Sequence, residues 1–116
     1  MKHVVVLTGA GISAESGLGT FRDEGGLWDK YKIEDVATKE SFQKNQLLVL
    51  DFYNIRRKQL LNSCPNNAHF ALNKLTEKYK LSIIIQNIDD LHERSGSENV
   101  VHLHGKLRES RSTINN

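Results

Sequence analysis

An apolar run that ends in a glycine turn constrains this chain more than any other feature. His3–Thr8 carries Val4-Val5-Val6-Leu7 without polar alternation and stops at Gly9-Ala10-Gly11. A run without alternation reads as a strand buried on both faces, the habit of parallel sheets. Two further strands are expected at about Lys80–Gln86 and Asn99–Leu103. Helical patterns separate them. Glu34–Phe42 reads as a short helical piece and Phe42–Asn62 as the longest helix, with Leu48, Phe52, Ile55 and Leu60 roughly on one face. Asn67–Tyr79 reads as a second helix with Phe70, Leu72 and Leu75 on one side, and Ile88–Arg94 as a helical turn closed by Gly96. Strands alternating with helices predict an α/β fold, a partial Rossmann-like parallel sheet with helical crossovers.

The glycine turn also carries chemistry. Gly9-x-Gly11-x-x-Ala14, between a strand and a helix, has the spacing of a dinucleotide-binding turn. The first glycine permits the tight turn, and the second lets a pyrophosphate approach the backbone. The N–H groups at the helix start then face the anion. Such a turn can also serve topology alone. A dehydrogenase would end its second strand in an acid for the ribose, whereas this chain has Gln86-Asn87 there, which argues against hydride transfer.

Composition narrows the class further. A length of 116 residues suits one small domain. Sixteen basic and 14 acidic residues give a net charge of +2, too balanced to imply nucleic acid. No apolar run approaches the ~20 residues of a membrane helix, and Met1-Lys2-His3-Val4 leads straight into a strand, so no signal peptide is expected. The single cysteine, Cys64, allows no internal disulfide and suits a reducing cytoplasm. No feature assigns an oligomeric state.

Three segments at strand ends carry a resemblance. Gly9-Ala10-Gly11-Ile12-Ser13-Ala14-Glu15-Ser16-Gly17, followed by Thr20-Phe21-Arg22, resembles the first signature of the sirtuin family. Gln86-Asn87-Ile88-Asp89-Asp90-Leu91-His92 resembles the second, and His104-Gly105 the third. The match runs from about His3 to Leu107. It implies the sirtuin NAD-binding fold and an NAD-dependent protein-lysine deacylase acting on acyl-lysine proteins. In that family the acyl oxygen attacks C1′ of the nicotinamide ribose, nicotinamide leaves, an alkylimidate forms, and a histidine acts as general base. His104 matches that histidine, and imidazole, with an unperturbed pKa of about 6.5, takes a proton near neutral pH.

The remaining roles follow from the same resemblance. It implies that Ala10 and Gly11 lie against the pyrophosphate, with Ser13 and Arg22 near phosphates and ribose. Gly9, Glu15, Thr20 and Trp28 join the cofactor site, and Phe21 covers the nicotinamide side. Gln86 would hold a ribose hydroxyl, Asn87 would orient the nicotinamide ribose and a water, and Ile88 and Asp89 would bind the carboxamide. Plainer alternatives stand beside these. Asp89 could be a helix cap, and Ser16 and Asp90 helix-start polar groups. His102, on the strand face of His104, could be a packed neighbour or, with His104 and Asp89, a metal ligand. His69 and His92 read as structural or exposed. ADP-ribosyl transfer would use the same NAD chemistry.

Tyr53-x-x-Arg56 resembles the pattern of the sirtuin subgroup that removes acidic acyl groups. Residues three apart share a helix face. A guanidinium can grip a carboxylate by two bonds and a phenol can add a third. The alternative is a surface pair on an amphipathic helix. The chain also departs from the family. Sirtuins usually bind a structural zinc with two cysteine pairs, but Ser112 and Asn115 stand where the first pair is expected, so the structural zinc is not supported and no residue is assigned to a metal. Gly19 replaces a proline common after the first signature. The chain reads as the N-terminal portion of a sirtuin catalytic domain, with a helical insertion at about 34–62 and the C-terminal half absent. As such it is expected to be a weakly active or inactive fragment. The alternative is a non-catalytic nucleotide-binding remnant or interaction module.

Overall fold

The computed structural model describes residues 1–19 and 30–114. Among these, β1 (His3–Thr8), β2 (Lys80–Ile85) and β3 (Val100–His102) form one parallel sheet in that spatial order. The register pairs Thr8 with Ile85 and Ile85 with His102, so all three strands end at one level. Gln86, Asn99 and Leu103, expected inside strands, lie just outside them.

The helices are α1 (Gly11–Ala14), α2 (Ile33–Val36), α3 (Lys39–Lys44), α4 (Gln46–Leu61), α5 (Asn67–Lys74) and α6 (Leu91–Arg94). Side-chain caps fix the N-termini of α3, α4 and α5, and the observed boundaries correct three expectations. The piece expected at Glu34–Phe42 is two helices, because Thr38 opens α3 with a capping box: its Oγ1 accepts from the Ser41 N–H at 3.0 Å and its own N–H donates to Ser41 Oγ at 3.1 Å. The long helix begins at Gln46, since Asn45 Oδ1 accepts from the Leu48 N–H at 3.2 Å. The helix expected to reach Tyr79 tightens into a 3₁₀ turn at Leu75–Glu77.

Burial corrects the sequence in three further places. The β1 strand is not buried on both faces. Leu81, Ile83 and Ile85 of β2 are buried, and the same face of the sheet meets α6 where His92 Nε2 bonds Thr8 Oγ1 at 2.9 Å. On the other face Val5, Leu7 and Val101 are 57%, 63% and 49% exposed. On α5 the buried side chain is His69, while Phe70 is exposed. On α4, Ile55 is exposed and the inward stripe runs Val49, Phe52, Arg56, Leu60, with a guanidinium set into an apolar face. Leu60 joins Leu91 and Leu107 in a cluster completed by Leu18, Tyr53 and Ile88. Among the described residues no helix is long and apolar enough to cross a membrane.

Candidate active site

The strand ends deliver two turns to one place. Because Thr8 and Ile85 are register partners, the chain leaves β1 at Gly9 and β2 at Gln86 side by side. Asn87 Nδ2 crosses between them and donates to the Gly9 carbonyl at 3.0 Å. It also lies 3.1 Å from Asp89 Oδ2 and 3.3 Å from Ser13 Oγ. Ser13, which is 2% exposed, donates its hydroxyl to Asp89 Oδ2 at 2.9 Å. Asp89 Oδ1 accepts from the Leu91 N–H at 3.2 Å. The carboxylate therefore acts as a local backbone cap and as the centre of a side-chain network. Three donors occupy it, and a carboxylate has about four lone-pair sites, so Oδ1 retains room for one more donor.

A second tier holds this network from behind. The Asn66 N–H donates to His69 Nδ1 at 3.1 Å, which leaves the proton of the neutral ring on Nε2, aimed at Ser13 Oγ in a long 3.5 Å contact. Asn66 Nδ2 donates to the Ile12 carbonyl and to Ser16 Oγ at 2.8 and 2.9 Å, tying α5 to the glycine turn. The His69 and His92 rings meet edge-on with centroids 5.0 Å apart. Both are fully buried, and burial pushes both pKa values down; on His92 the neighbouring His69 adds to the effect. These histidines are structural and buried. Ser16 follows α1 rather than starting it; Asp90 does stand at the start of α6, but its side chain pairs with Arg108 at 2.8 Å and Arg94 at 3.7 Å and makes no cap bond.

Neither glycine of the turn has a positive φ, so backbone conformation alone demands neither of them. A Cβ on Gly9 would sit 3.0 Å from Gln86 Oε1, whereas one on Gly11 would meet nothing within 4 Å. The Gly11 backbone thus faces open space, as a site for a bulky anion requires. The Ile12 and Ser13 N–H groups are taken by the Gly9 and Ala10 carbonyls at 3.2 and 3.1 Å, so they are not the free donors expected at the helix start.

An open cleft runs along this edge. Its lining includes Ala10, Ser13, Gln86, Asn87, Ile88, Asp89 and His104, and continues to Tyr53 and Arg56 on α4. Gly9, Gly11 and Glu15 do not line it. His104 is exposed and stands beyond the end of β3, before Gly105 with φ +89°. His102 Nε2 bonds Glu93 Oε2 at 2.8 Å, which makes it a packed neighbour. Among the described residues no three His, Cys, Asp or Glu side chains are grouped to hold a metal. Thr20, Phe21, Arg22, Trp28 and Asn115 lie outside the described residues.

At the far end of the cleft, the Arg56 guanidinium carbon lies 5.7 Å from the Phe52 ring centroid and 5.6 Å from that of Tyr53. Burial lowers the Arg56 pKa, against the pull of Tyr53 and Asp89, and an arginine so placed stays cationic. Sequence reasoning missed the supports of this end. Arg94 donates to the Leu60 and Ser63 carbonyls at 3.2 and 2.6 Å, fastening α6 to the C-terminus of α4. Arg57 donates to the Leu107 carbonyl at 2.7 Å. Arg94 lies in the last turn of α6, which is the only signal the sequence offered for it, and Arg57, before the last turn of α4, had none.

The family described as SIR2, the Sir2 family, matches residues 9–114. A protein of Bacteroides thetaiotaomicron named NAD-dependent protein deacylase is 59% identical over 107 residues, covering 92% of this chain and 46% of that protein. A solved Sir2 homologue–NAD complex superposes with a TM-score of 0.84 at 49% identity, covering 92% of this chain and 42% of the other. A mutant Sir2 homologue in complex with 2′-O-acetyl ADP ribose reaches a TM-score of 0.90 at 48% identity, covering 99% and 47% respectively. This chain therefore spans about half the length of the curated relatives it matches.

Proposed function

The chain belongs to the Sir2 family, and from that premise we propose that the whole protein is an NAD-dependent protein-lysine deacylase, moving the acyl group to ADP-ribose with release of nicotinamide. The observation that carries this reading is the Ser13–Asn87–Asp89 network assembled where β1 and β2 end. Its fit to the dinucleotide rests on Gly11, whose backbone faces open space, and on the acceptor capacity left on Asp89 Oδ1. When bound, NAD supplies the electrophilic ribose carbon and the leaving nicotinamide.

The chain's own residues divide the remaining work. Ala10 and Gly11 receive the pyrophosphate, with Ser13 and Arg22 near the phosphates and ribose, and Gly9, Glu15 and Thr20 belong to the same cofactor site. Phe21 covers the nicotinamide side, and Trp28 belongs to the cofactor site. Ile88 and Asp89 hold the carboxamide, Gln86 a ribose hydroxyl, and Asn87 the nicotinamide ribose. His104 takes the proton of a ribose hydroxyl. Tyr53 and Arg56, on a helical insertion at about 34–62, select acyl groups that end in a carboxylate. There a partly desolvated guanidinium forms stronger charge-assisted bonds than it would in water. The substrates are acyl-lysine proteins, and the exposed free thiol of Cys64 accords with a reducing cytoplasm.

Nicotinamide release from NAD in the presence of succinyl-lysine peptide tests the reading in the whole protein. Turnover that disappears in His104→Ala is the expected result. Release that His104→Ala leaves unchanged would overturn it. The 116-residue chain alone should bind NAD but turn over weakly or not at all, because a misplacement of about 1 Å can cost roughly a hundredfold in rate.

A further inference from the structure

His104 lies outside the sheet ladder. The last ladder bond before it runs from the Leu103 N–H to the Ile85 carbonyl at 3.1 Å. Next come Gly105 in the left-handed region, at φ +89°, and Lys106, which is exposed. The next anchor is Leu107. Its side chain is 6% exposed, packed with Leu60 of α4 and Leu91 of α6. Its N–H donates to the Ile88 carbonyl at 2.7 Å, and its carbonyl accepts from Arg57 Nε, also at 2.7 Å. Arg57 is itself aimed by Asn54, whose Oδ1 accepts from Nη1 at 3.0 Å one helical turn back. Both backbone groups of Leu107 are thus held: one by the segment that carries Asn87 and Asp89, the other by the helix that carries Tyr53 and Arg56.

We propose that Arg57 is a positioning residue. By gripping the Leu107 carbonyl it fixes the far end of the His104–Gly105 turn, so that the helix of Tyr53 and Arg56 and the loop of His104 move as one body. A guanidinium suits the task because it is a planar, permanently charged donor, and its bond to a carbonyl is charge-assisted. Its catalytic consequence rests on the deacylase reading; the clamp does not.

The test uses the 116-residue chain. Amide hydrogen exchange is followed at Leu107 and Gly105, and the ring resonances of His104 are recorded, in wild type, Arg57→Met and Arg57→Lys. The Met variant keeps apolar bulk without a donor. It should speed Leu107 exchange about tenfold to a hundredfold, the range set by a hydrogen bond to a charged group, and shift the His104 ring signals. Ile83 and Ile85 in β2 should keep their protection. The Lys variant, which can still donate, should recover most of both changes. Unchanged Leu107 exchange in Arg57→Met overturns the proposal, as does a Lys variant that behaves like Met. Loss of β2 protection in Arg57→Met also overturns it, since Arg57 would then be a residue of the general fold. An NAD titration on the same wild-type sample separates the two readings. If NAD moves neither Gly11 nor Asn87 resonances, the expectation that this chain binds NAD fails while the clamp is still judged by Leu107.

Discussion

Asn87 Nδ2 lies 3.0 Å from the Gly9 carbonyl oxygen, joining two turns 78 residues apart in the chain. The parallel register makes the contact possible: the Gln86 N–H donates to the Thr8 carbonyl at 3.0 Å, so the two strands end together. An amide is suited to the position because Nδ2 must donate to acceptors on two sides, the Gly9 carbonyl and the Asp89 carboxylate.

Asn87→Asp should therefore destabilise the chain more than Asn87→Leu does. The aspartate would bring a second carboxylate to Asp89 and an acceptor to the Gly9 carbonyl, whereas leucine only removes the donor. A cost of about 1–3 kcal/mol is expected for the unsatisfied groups left by the leucine, with a larger cost for the aspartate at neutral pH. Urea unfolding of the two variants compares them directly. Equal midpoints would contradict this account of the bridge.

Gly9→Ala places a methyl group 3.0 Å from Gln86 Oε1. Gln86 is exposed, so its side chain can swing aside at little cost to the fold. The thermal midpoint should hardly move. NAD affinity should fall by about tenfold, the equivalent of one lost hydrogen bond near 1.4 kcal/mol, if Gln86 holds a ribose hydroxyl. Calorimetric titration measures it, and an unchanged affinity would remove Gln86 from the cofactor site.

Stability should decline as the solution is acidified below about pH 6.5, the usual histidine value. His69 and His92 both have folded-state pKa values lowered by burial. The unfolded chain takes up their protons first as pH falls, so stability is fully present above the unfolded value and is lost as pH drops toward the folded values. Urea midpoints taken from pH 7.5 down to 5 report the slope. A flat profile across that interval would mean that neither ring is buried as a neutral group.

Arg56→Met should separate substrates in the whole protein. One hydrogen bond to a charged group contributes about 1.5–3 kcal/mol, so kcat/KM for succinyl-lysine peptide should drop by roughly one to two orders of magnitude. Acetyl-lysine peptide, with no distal carboxylate, should change little. Equal losses on both peptides would make Arg56 a structural residue of the α4 stripe.

The isolated chain should unfold at low denaturant with a broad transition. The sheet face formed by Val5, Leu7 and Val101 is open to solvent, with Leu103 52% exposed beyond it. Burial of apolar surface contributes about 25 cal/mol per Å², and here one face of the sheet contributes little. A sharp, high-temperature melt of residues 1–116 would show that the other face suffices.

The sequence by itself determined the strands, their parallel order and the three motifs at their ends. Unbroken apolar runs and glycine turns are local signals, and they mark strand ends whatever surrounds them. It also located Asn87, Asp89, Ser13 and His104 as residues of one edge. Only the tertiary structure decided which bulk fills which face. Phe70 was expected inside and lies outside, while His69 is buried, because the Asn66 cap and Ser13 satisfy its ring. Arg56 sits in an apolar stripe because Phe52 and Tyr53 offer it ring faces. Arg57 holds Leu107 across a separation of 50 residues. Hydrogen bonds of that span leave no trace in composition or periodicity, since each partner is ordinary in its own neighbourhood. They exist only once packing has brought the partners within 3 Å or so of each other.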